Sequence, residues 1–442
     1  MLKTTHEIRD AIHVFAHFDN DERDLINSRP FQRLRSIHQL ALTHLVYPGA
    51  THRRFEHSIG VMELASRVFD VVTNRYNLQP KIADIIEWDQ IHILYWRKVL
   101  RIAALCHDIG HLPFSHAAED LLPNGWNHER LTVAALRGDE MQSLLGNMKP
   151  PVNVEDVVKL AVGERELSKF EQTAYTAWER VLAEIISGEA FGVDRIDYLL
   201  RDSLHSGVAY GRFDHYRLID TLRILPVPEG EDETDRPALG VDAGGIHSAE
   251  ALMLARYFMF SQLYFHSVRR IYDLHLKDFL KVWLPNGLYP TDYKSHLAIT
   301  DDEVSAGMRI AAQSEDAHGH IHAKRIAERR HYKVLYERNP DDLKKNVDAV
   351  KAVFSATCEK YGENSVKCDD LPPNPKRAPH FPVCEYDGRI VWSHDASSIL
   401  RDNTIPQAVI GRVYVEPDKR DEARRWLDGH LSVILESRNG ES

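Results

Sequence analysis

Over roughly the first 290 residues, apolar side chains recur at three- and four-residue steps, in segments such as 59–71, 99–105, 154–162 and 249–260. That spacing lines one face of an α-helix, whereas strand-like alternation is scarce there. The chain is therefore expected to be mainly α, with residues 1–290 as a helical core. The acidic, breaker-rich stretch 226–237 (PVPEGEDETDRP) reads as an exposed loop. The following ALGVDAGGIHSAEALM reads as a short β-hairpin turning at Gly244 and Gly245, then a helix from about Ser248 through Tyr257 to Gln262.

Past residue 290 the texture changes. A charged helical region (301 to 360) leads to a Pro-rich linker (371–382), the strand-like pieces CEYDGRIVW and AVIGRVYVE, and a last helix from 419 to about 435. Residues 291–442 are read as a smaller α+β appendage, a candidate for oligomerisation.

Composition narrows the function. Apolar residues make up 43% and charged residues 27%, the balance of a globular protein. The net charge of −11 argues against a general nucleic-acid coat, which needs an excess of Lys and Arg. No run approaches 18 apolar residues, and the opening MLKTTHEIRDAIHVF lacks the order of a secretory signal, so a cytoplasmic protein without a membrane partner is expected. Cys106, Cys358, Cys368 and Cys384 show no C-x-x-C spacing and are expected to be reduced thiols.

Three distant pieces of sequence supply metal-ligand side chains: His57 in RRFEHSIG, His107 and Asp108 in ALCHDIGHLPFSH, and Asp194 in FGVDRIDYLLRD. Nitrogen and carboxylate donors suit manganese, iron, zinc, cobalt or nickel. A His-Asp pair alone carries little in a chain with 25 histidines. Here it follows the apolar run RIAAL, where burying both groups unpaired costs on the order of several kcal/mol. A metal removes that cost.

These motifs carry a resemblance. H…HD…D with HDIGHLPFSH resembles the HD superfamily, and RPFQRLRSIHQL, YPGATHRRFEHSIGV, NHE and VDRIDYLLRDS resemble its deoxynucleoside triphosphate triphosphohydrolase (dGTPase-like, SAM-and-HD-domain protein-like) branch. The similarity runs from about residue 20 to 275. It implies an HD-domain helical core, His57, His107, Asp108 and Asp194 as metal ligands, and His111, His116, Glu119, His128 and Glu129 near the phosphates. His116 is implied to act at the hydrolysed phosphate, with Glu119 at i+3 to orient it and keep it basic. Gln39 and Leu40 match positions that sense the sugar, and Tyr198 and Asp202 match those that pack on deoxyribose and bond its 3′-hydroxyl. Arg54 and Arg195, with Arg269 or Arg270 as further candidates, supply positive charge for phosphate. Arg195 stands where the family usually has lysine.

Arg29, Gln32, Arg33 and Arg35 read from the residues as a solvated helical face; the resemblance implies a site for an activating nucleotide. Asn27 stands where some relatives carry a guanine-reading aspartate, and Ala41, Leu42 and Thr43 replace a glycine-rich stretch. The implied reaction is metal-assisted attack of water on the α-phosphorus of a deoxynucleoside triphosphate, releasing nucleoside and triphosphate, with a second magnesium on the phosphates and a dimeric or tetrameric enzyme. The alternatives are hydrolysis of a monophosphate, cyclic or modified nucleotide, and a catalytically weak nucleotide sensor. Ser203, His205 and Ser206 do not make a Ser–His hydrolase, because no G-x-S-x-G elbow accompanies them.

Overall fold

The computed structural model describes residues 4–229, 234–371, 379–401, 405 and 408–436. The chain is mainly α, as the periodicity predicts. Its contacts divide it into two compact units that interleave along the chain. The first comprises Met1–Met259, Leu288–Glu303 and Arg377–Pro406, and the second Phe260–Gly287, Val304–Lys376 and Gln407–Ser442.

In the first unit the central helix is Arg54–Val72. Phe55, Ile59, Met62, Ala65 and Phe69 follow helical spacing, and all are buried. Val61, Leu64 and Val68 on the flanking rows are buried too, so the helix is enclosed nearly all round. The Glu56 carboxylate accepts the Arg53 N–H (2.8 Å), satisfying a donor at the helix start. Against it pack Ile93–Cys106, Ala177–Ser187 and Val193–Ser206, the first and last of which carry site residues at an end. Helix Ile93–Cys106 is buried without a break from Val99 to its end, then stops at His107, so the metal-ligand types emerge where the apolar run gives out.

The unit also holds strands that the helical reading passes over. β1 (Thr5–Asp10) and β2 (Val14–Asp19) form an antiparallel hairpin. β3 (Leu222–Glu229) pairs antiparallel with β4 (Thr234–Asp242) over residues expected to be an exposed loop. Burial of Leu222, Ile224, Leu225 and Val227 outweighs the breakers, and prolines are tolerated because β3 lies at the sheet edge. Of that expected loop, residues 230–233 lie outside the described residues. The expected turn at Gly244 and Gly245 is instead a single helical turn (Ala243–Gly245) leading from β4 into helix Ile246–Met259, followed by a π-turn at Phe260–Tyr264. Gly245 meets the Thr221 side chain so closely that a Cβ would lie 2.1 Å from its hydroxyl, which accounts for the glycine without a hairpin. β7 (Pro382–Cys384) and β8 (Ile390–Trp392) complete a sheet of order β3-β4-β7-β8. The linker expected over 371–382 falls largely on residues 372–378, outside the described residues.

In the second unit, β5 (Lys333–Glu337) and β6 (Val366–Leu371) flank the central β9 (Ile410–Val415), both antiparallel. Helices Ala349–Tyr361 and Arg420–Glu436 close a core of Leu335, Val353, Val413, Val415 and Leu427. Arg270 is held there by both carboxylate oxygens of Asp369 (2.7 and 2.9 Å), so its guanidinium is committed within this unit. All four cysteines are free thiols. Among the described residues no helix is long and apolar enough to cross a membrane.

Candidate functional site

Helix Arg54–Val72 presents His57, the end of helix Ile93–Cys106 presents His107 and Asp108, and the first turn of helix Val193–Ser206 presents Asp194. Residues 137 apart in sequence meet: His57 Nε2 lies 3.0 Å from Asp194 Oδ1 and 3.6 Å from Asp108 Oδ2. His107 Nε2 lies 3.4 Å from Asp108 Oδ1 and 3.6 Å from Asp194 Oδ1. His57, His107 and Asp108 are buried or nearly so.

The donor set fits a divalent cation, because both imidazoles are pinned through the far nitrogen. His57 Nδ1 donates to Asp197 (2.8 Å) and His107 Nδ1 to the carbonyl of Ala104 (2.8 Å). Each ring then turns Nε2 toward the carboxylates, the arrangement that fixes tautomer and direction in metal-ligating histidines. His107 Nε2 is buried with no hydrogen-bond partner, a lone pair that only a cation or a proton would satisfy. The electrostatics agree. Burial disfavours a charged His57, yet hydrogen bonds to Asp194 and Asp197 and the charges of Asp197 and Asp108 hold its pKa up to about 10. Burial likewise opposes ionised Asp194 and Asp108; His107 and His57 hold Asp194 well below the usual range, and chiefly Arg54 does so for Asp108. The cluster is a well for positive charge.

Asp197 went unnoticed in the sequence. It is fully buried and accepts from His57, from His13 Nε2 (2.7 Å) and from Arg201 Nε and Nη2 (2.8 and 2.9 Å), while Arg201 Nη1 reaches Asp10 (2.9 Å). The N-terminal hairpin thus supplies Asp10 and His13 beneath the cluster, and Asp10 accepts the His13 N–H (2.8 Å) to shape the turn between them. Gly60 completes the fit: a Cβ there would lie 2.1 Å from Asp197 Oδ1 and 2.4 Å from Arg201 Nη2. The available signals were the i, i+3 step from Asp194 to Asp197 and the i, i+4 step from Asp197 to Arg201.

A second group adjoins the first through Asp108. His111 Nε2 lies 3.3 Å from Asp108 Oδ1, the His111 ring stacks on His128 (4.1 Å between centroids), and His116 meets both rings edge-on at 4.7 and 5.0 Å. His116 sits in the segment Ser115–Leu121, two short helical turns that meet at a kink at Ala118 (φ −140°, ψ 30°), and its Nδ1 donates to Glu119 Oε2 (2.9 Å) across that kink. The other Glu119 oxygen accepts from His128 Nδ1 (2.5 Å) and from the His128 N–H (3.0 Å). Glu129 Oε2 lies 3.3 Å from His128 Nδ1. Asn127 caps the helix that carries His128 by accepting the Arg130 N–H (3.0 Å). Burial first, then the charges of Arg54 and His128, push the His111 pKa far down. Burial also opposes charge on His128, but Glu119 outweighs it and raises that pKa. The His116 side chain is 62% exposed.

The remaining candidates fall into two sets. Arg54 is buried beside the cluster, with Nη1 on Asp108 and Nε on Ser115 Oγ (2.8 Å). Arg195 donates to the carbonyls of Gly188 and Glu189, and Tyr198 is half-buried. Asp202 is buried and held by His52 Nε2 (2.7 Å). Leu40 is buried and Gln39 half-buried, its N–H bonded to the His52 carbonyl (3.1 Å). One expectation is corrected: Arg33 does not lie on a solvated face. It is buried, donating to the carbonyls of His111 (2.7 Å) and Ile299 (2.8 Å), because those carbonyls need donors away from water. Ser203 Oγ donates to the Val208 carbonyl (2.7 Å), a turn-closing role.

Comparison with known proteins identifies the family. An HD domain model matches residues 54–202 and an HD associated region matches residues 213–435. The chain is 35% identical over 271 residues to the uncharacterized protein MJ1154 of Methanocaldococcus jannaschii, covering 61% of this chain and 48% of that protein. It is 33% identical over 221 residues to deoxynucleoside triphosphate triphosphohydrolase SAMHD1 of Danio rerio, covering 46% and 34%. It spans about half the length of these curated relatives, or less. A crystal structure of a hypothetical protein from Aquifex aeolicus matches with a TM-score of 0.75 at 30% identity, over 96% of this chain and 100% of that one. The HD match contains all four residues of the cluster and the associated-region match spans half the chain, so the chain belongs to the HD-domain superfamily.

Proposed function

We propose that the chain is a metal-dependent phosphohydrolase that converts a deoxynucleoside triphosphate to deoxynucleoside and inorganic triphosphate. The observation that carries this reading is the juxtaposition, through Asp108, of a buried cation well with a half-exposed histidine–glutamate relay. His57, His107, Asp108 and Asp194 would hold the cation, of the manganese, iron, zinc, cobalt or nickel kind. When bound, it supplies Lewis acidity toward water and phosphoryl oxygens.

The chain's own residues do the rest. Glu119 holds His116 Nδ1, which leaves Nε2 as the atom at which the ring can pass a proton to the leaving nucleoside oxygen or take one from water. His111, whose neutral form burial favours, and His128, whose charged form Glu119 favours, face the triphosphate, with Glu129 beside His128. Arg54 adds fixed positive charge, and a second magnesium would neutralise the phosphates further. Gln39, Leu40, Tyr198 and Asp202 are assigned to the sugar and Arg195 to the phosphates, on the resemblance to the triphosphohydrolases. The deoxynucleotide as substrate, an activating nucleotide and a dimeric or tetrameric assembly rest on that same likeness.

Incubating the purified protein with each deoxy- and ribonucleotide, singly and in pairs, with manganese or magnesium, tests the reading. Inorganic triphosphate and a deoxynucleoside are expected. Monophosphate or pyrophosphate as the product would place the chain among other HD phosphohydrolases, and inertness of the metal-loaded protein toward every nucleotide would end the proposal.

A further inference from the structure

Phe114 and Ser115, immediately before His116, both adopt the left-handed region (φ +56° and +57°). Neither is glycine, and the Phe114 side chain is fully buried. Two consecutive residues with a Cβ do not hold that conformation unless the surroundings impose it. Asp301, 187 residues further on and 1% exposed, provides the imposing contact: its Oδ1 accepts the Phe114 N–H at 2.6 Å. Its Oδ2 accepts the His38 N–H at 2.8 Å and lies 2.5 Å from His38 Nδ1. The His38 ring stacks parallel to Phe114 (6.2 Å, 6°), and Ser115 Oγ donates to the His38 carbonyl (2.7 Å) while accepting from Arg54 Nε. One carboxylate therefore ties the segment that ends at His116 to the segment that leads into Gln39 and Leu40.

We propose that Asp301 is a positioning residue: by bridging the Phe114 and His38 amides it holds the strained turn that aims His116, and it sets that turn against the segment carrying Gln39 and Leu40. The proposal rests on His116 as the proton-transfer residue of the hydrolysis proposed above. Without the carboxylate the Phe114 N–H is buried and unpaired, and the two residues relax toward right-handed values, which swings His116 away from its partners. Misplacing a catalytic group by about 1 Å costs on the order of a hundredfold in rate.

The decisive experiment is a double-mutant cycle between Asp301→Ala and His116→Ala, read as kcat, KM and bound metal, with hydrogen exchange of the 112–118 segment measured alongside. Asp301→Ala alone should lower kcat by roughly 10- to 100-fold with metal content unchanged, and should speed exchange at Phe114. In the His116→Ala background the same substitution should change kcat by less than about twofold, because its effect passes through His116. A purely structural residue would lower activity by the same factor in both backgrounds, and that outcome overturns the proposal. So does unchanged exchange at Phe114. If Asp301→Ala does not fold, Asp301→Asn, which keeps an acceptor for one amide but removes the other, carries the same cycle. If the wild-type chain hydrolyses no nucleotide, the functional reading fails separately, and the exchange measurement still decides whether Asp301 holds the turn.

Discussion

Two groups of imidazoles and carboxylates lie side by side in the first unit, built from the same residue types and tuned oppositely. Around His57 every proton is committed. Asp197 accepts from two imidazoles and a guanidinium, Arg201 is shared with Asp10, and the side chains of His13, His57 and Asp197 are fully buried. Around Glu119 one carboxylate serves two rings, and one of those rings, His116, is largely in water. Depth makes the first group rigid and leaves a bare nitrogen facing the cation well. Exposure leaves the second free to exchange protons. Burial and partners, rather than residue type, divide the work.

The largest effect expected on that contrast comes from His107→Ala. It removes the partnerless Nε2 together with one hydrogen bond, from Nδ1 to the Ala104 carbonyl at the helix end, so helix content should change little. Bound metal, measured by elemental analysis, should be lost, and turnover should fall by more than about a thousandfold. Near-wild-type hydrolysis by this variant would refute the assignment.

Asp197→Asn probes the rigid side one step back. The His57 ring loses its anchoring charge, so metal affinity should weaken about 10- to 100-fold. Arg201 keeps only Asp10, so the fold should lose on the order of 3 kcal/mol. Metal titration and denaturant unfolding measure the two terms; if neither moves, the deep network does not support the cluster.

The smallest effect belongs to the pH dependence of the exposed side. His128 is raised above its ordinary 6.5, so its stabilisation is complete below pH 6.5 and fades as pH climbs through the elevated value. Glu119 is depressed below its ordinary 4.5, so its stabilisation is complete above pH 4.5 and fades as pH falls through the depressed value. Both act between pH 4.5 and 6.5. Glu119→Gln should lower Tm most in that window, by roughly 2–4 °C, and the gap to wild type should narrow toward alkaline pH. A gap that widens from pH 6 to pH 10 would contradict the pairing.

Much of the site was visible before the fold. The helices carrying His57 and the His107–Asp108 pair announce themselves because helical period is a local property, written every three or four residues. Other parts were hidden. The hairpin Thr5–Asp19 does not alternate cleanly, and it is held partly by Asp10 and His13, polar groups whose burial depends on Arg201 and Asp197 nearly 190 residues away. Strand β3 carried prolines and acidic neighbours that suggested a loop, and only its position at the sheet edge makes them tolerable.

By itself the sequence determined the helical core, the four candidate donor side chains and the family to which they point, since those depend on residue identity and local spacing. Only the tertiary structure decided that Asp197 orients His57, that Arg33 props the His111 carbonyl, and that Asp301 grips the turn before His116. An isolated aspartate or arginine in a sequence carries charge but no address. What it does is set by which donors and acceptors the fold places within about 3 Å of it, and by whether water is there to compete.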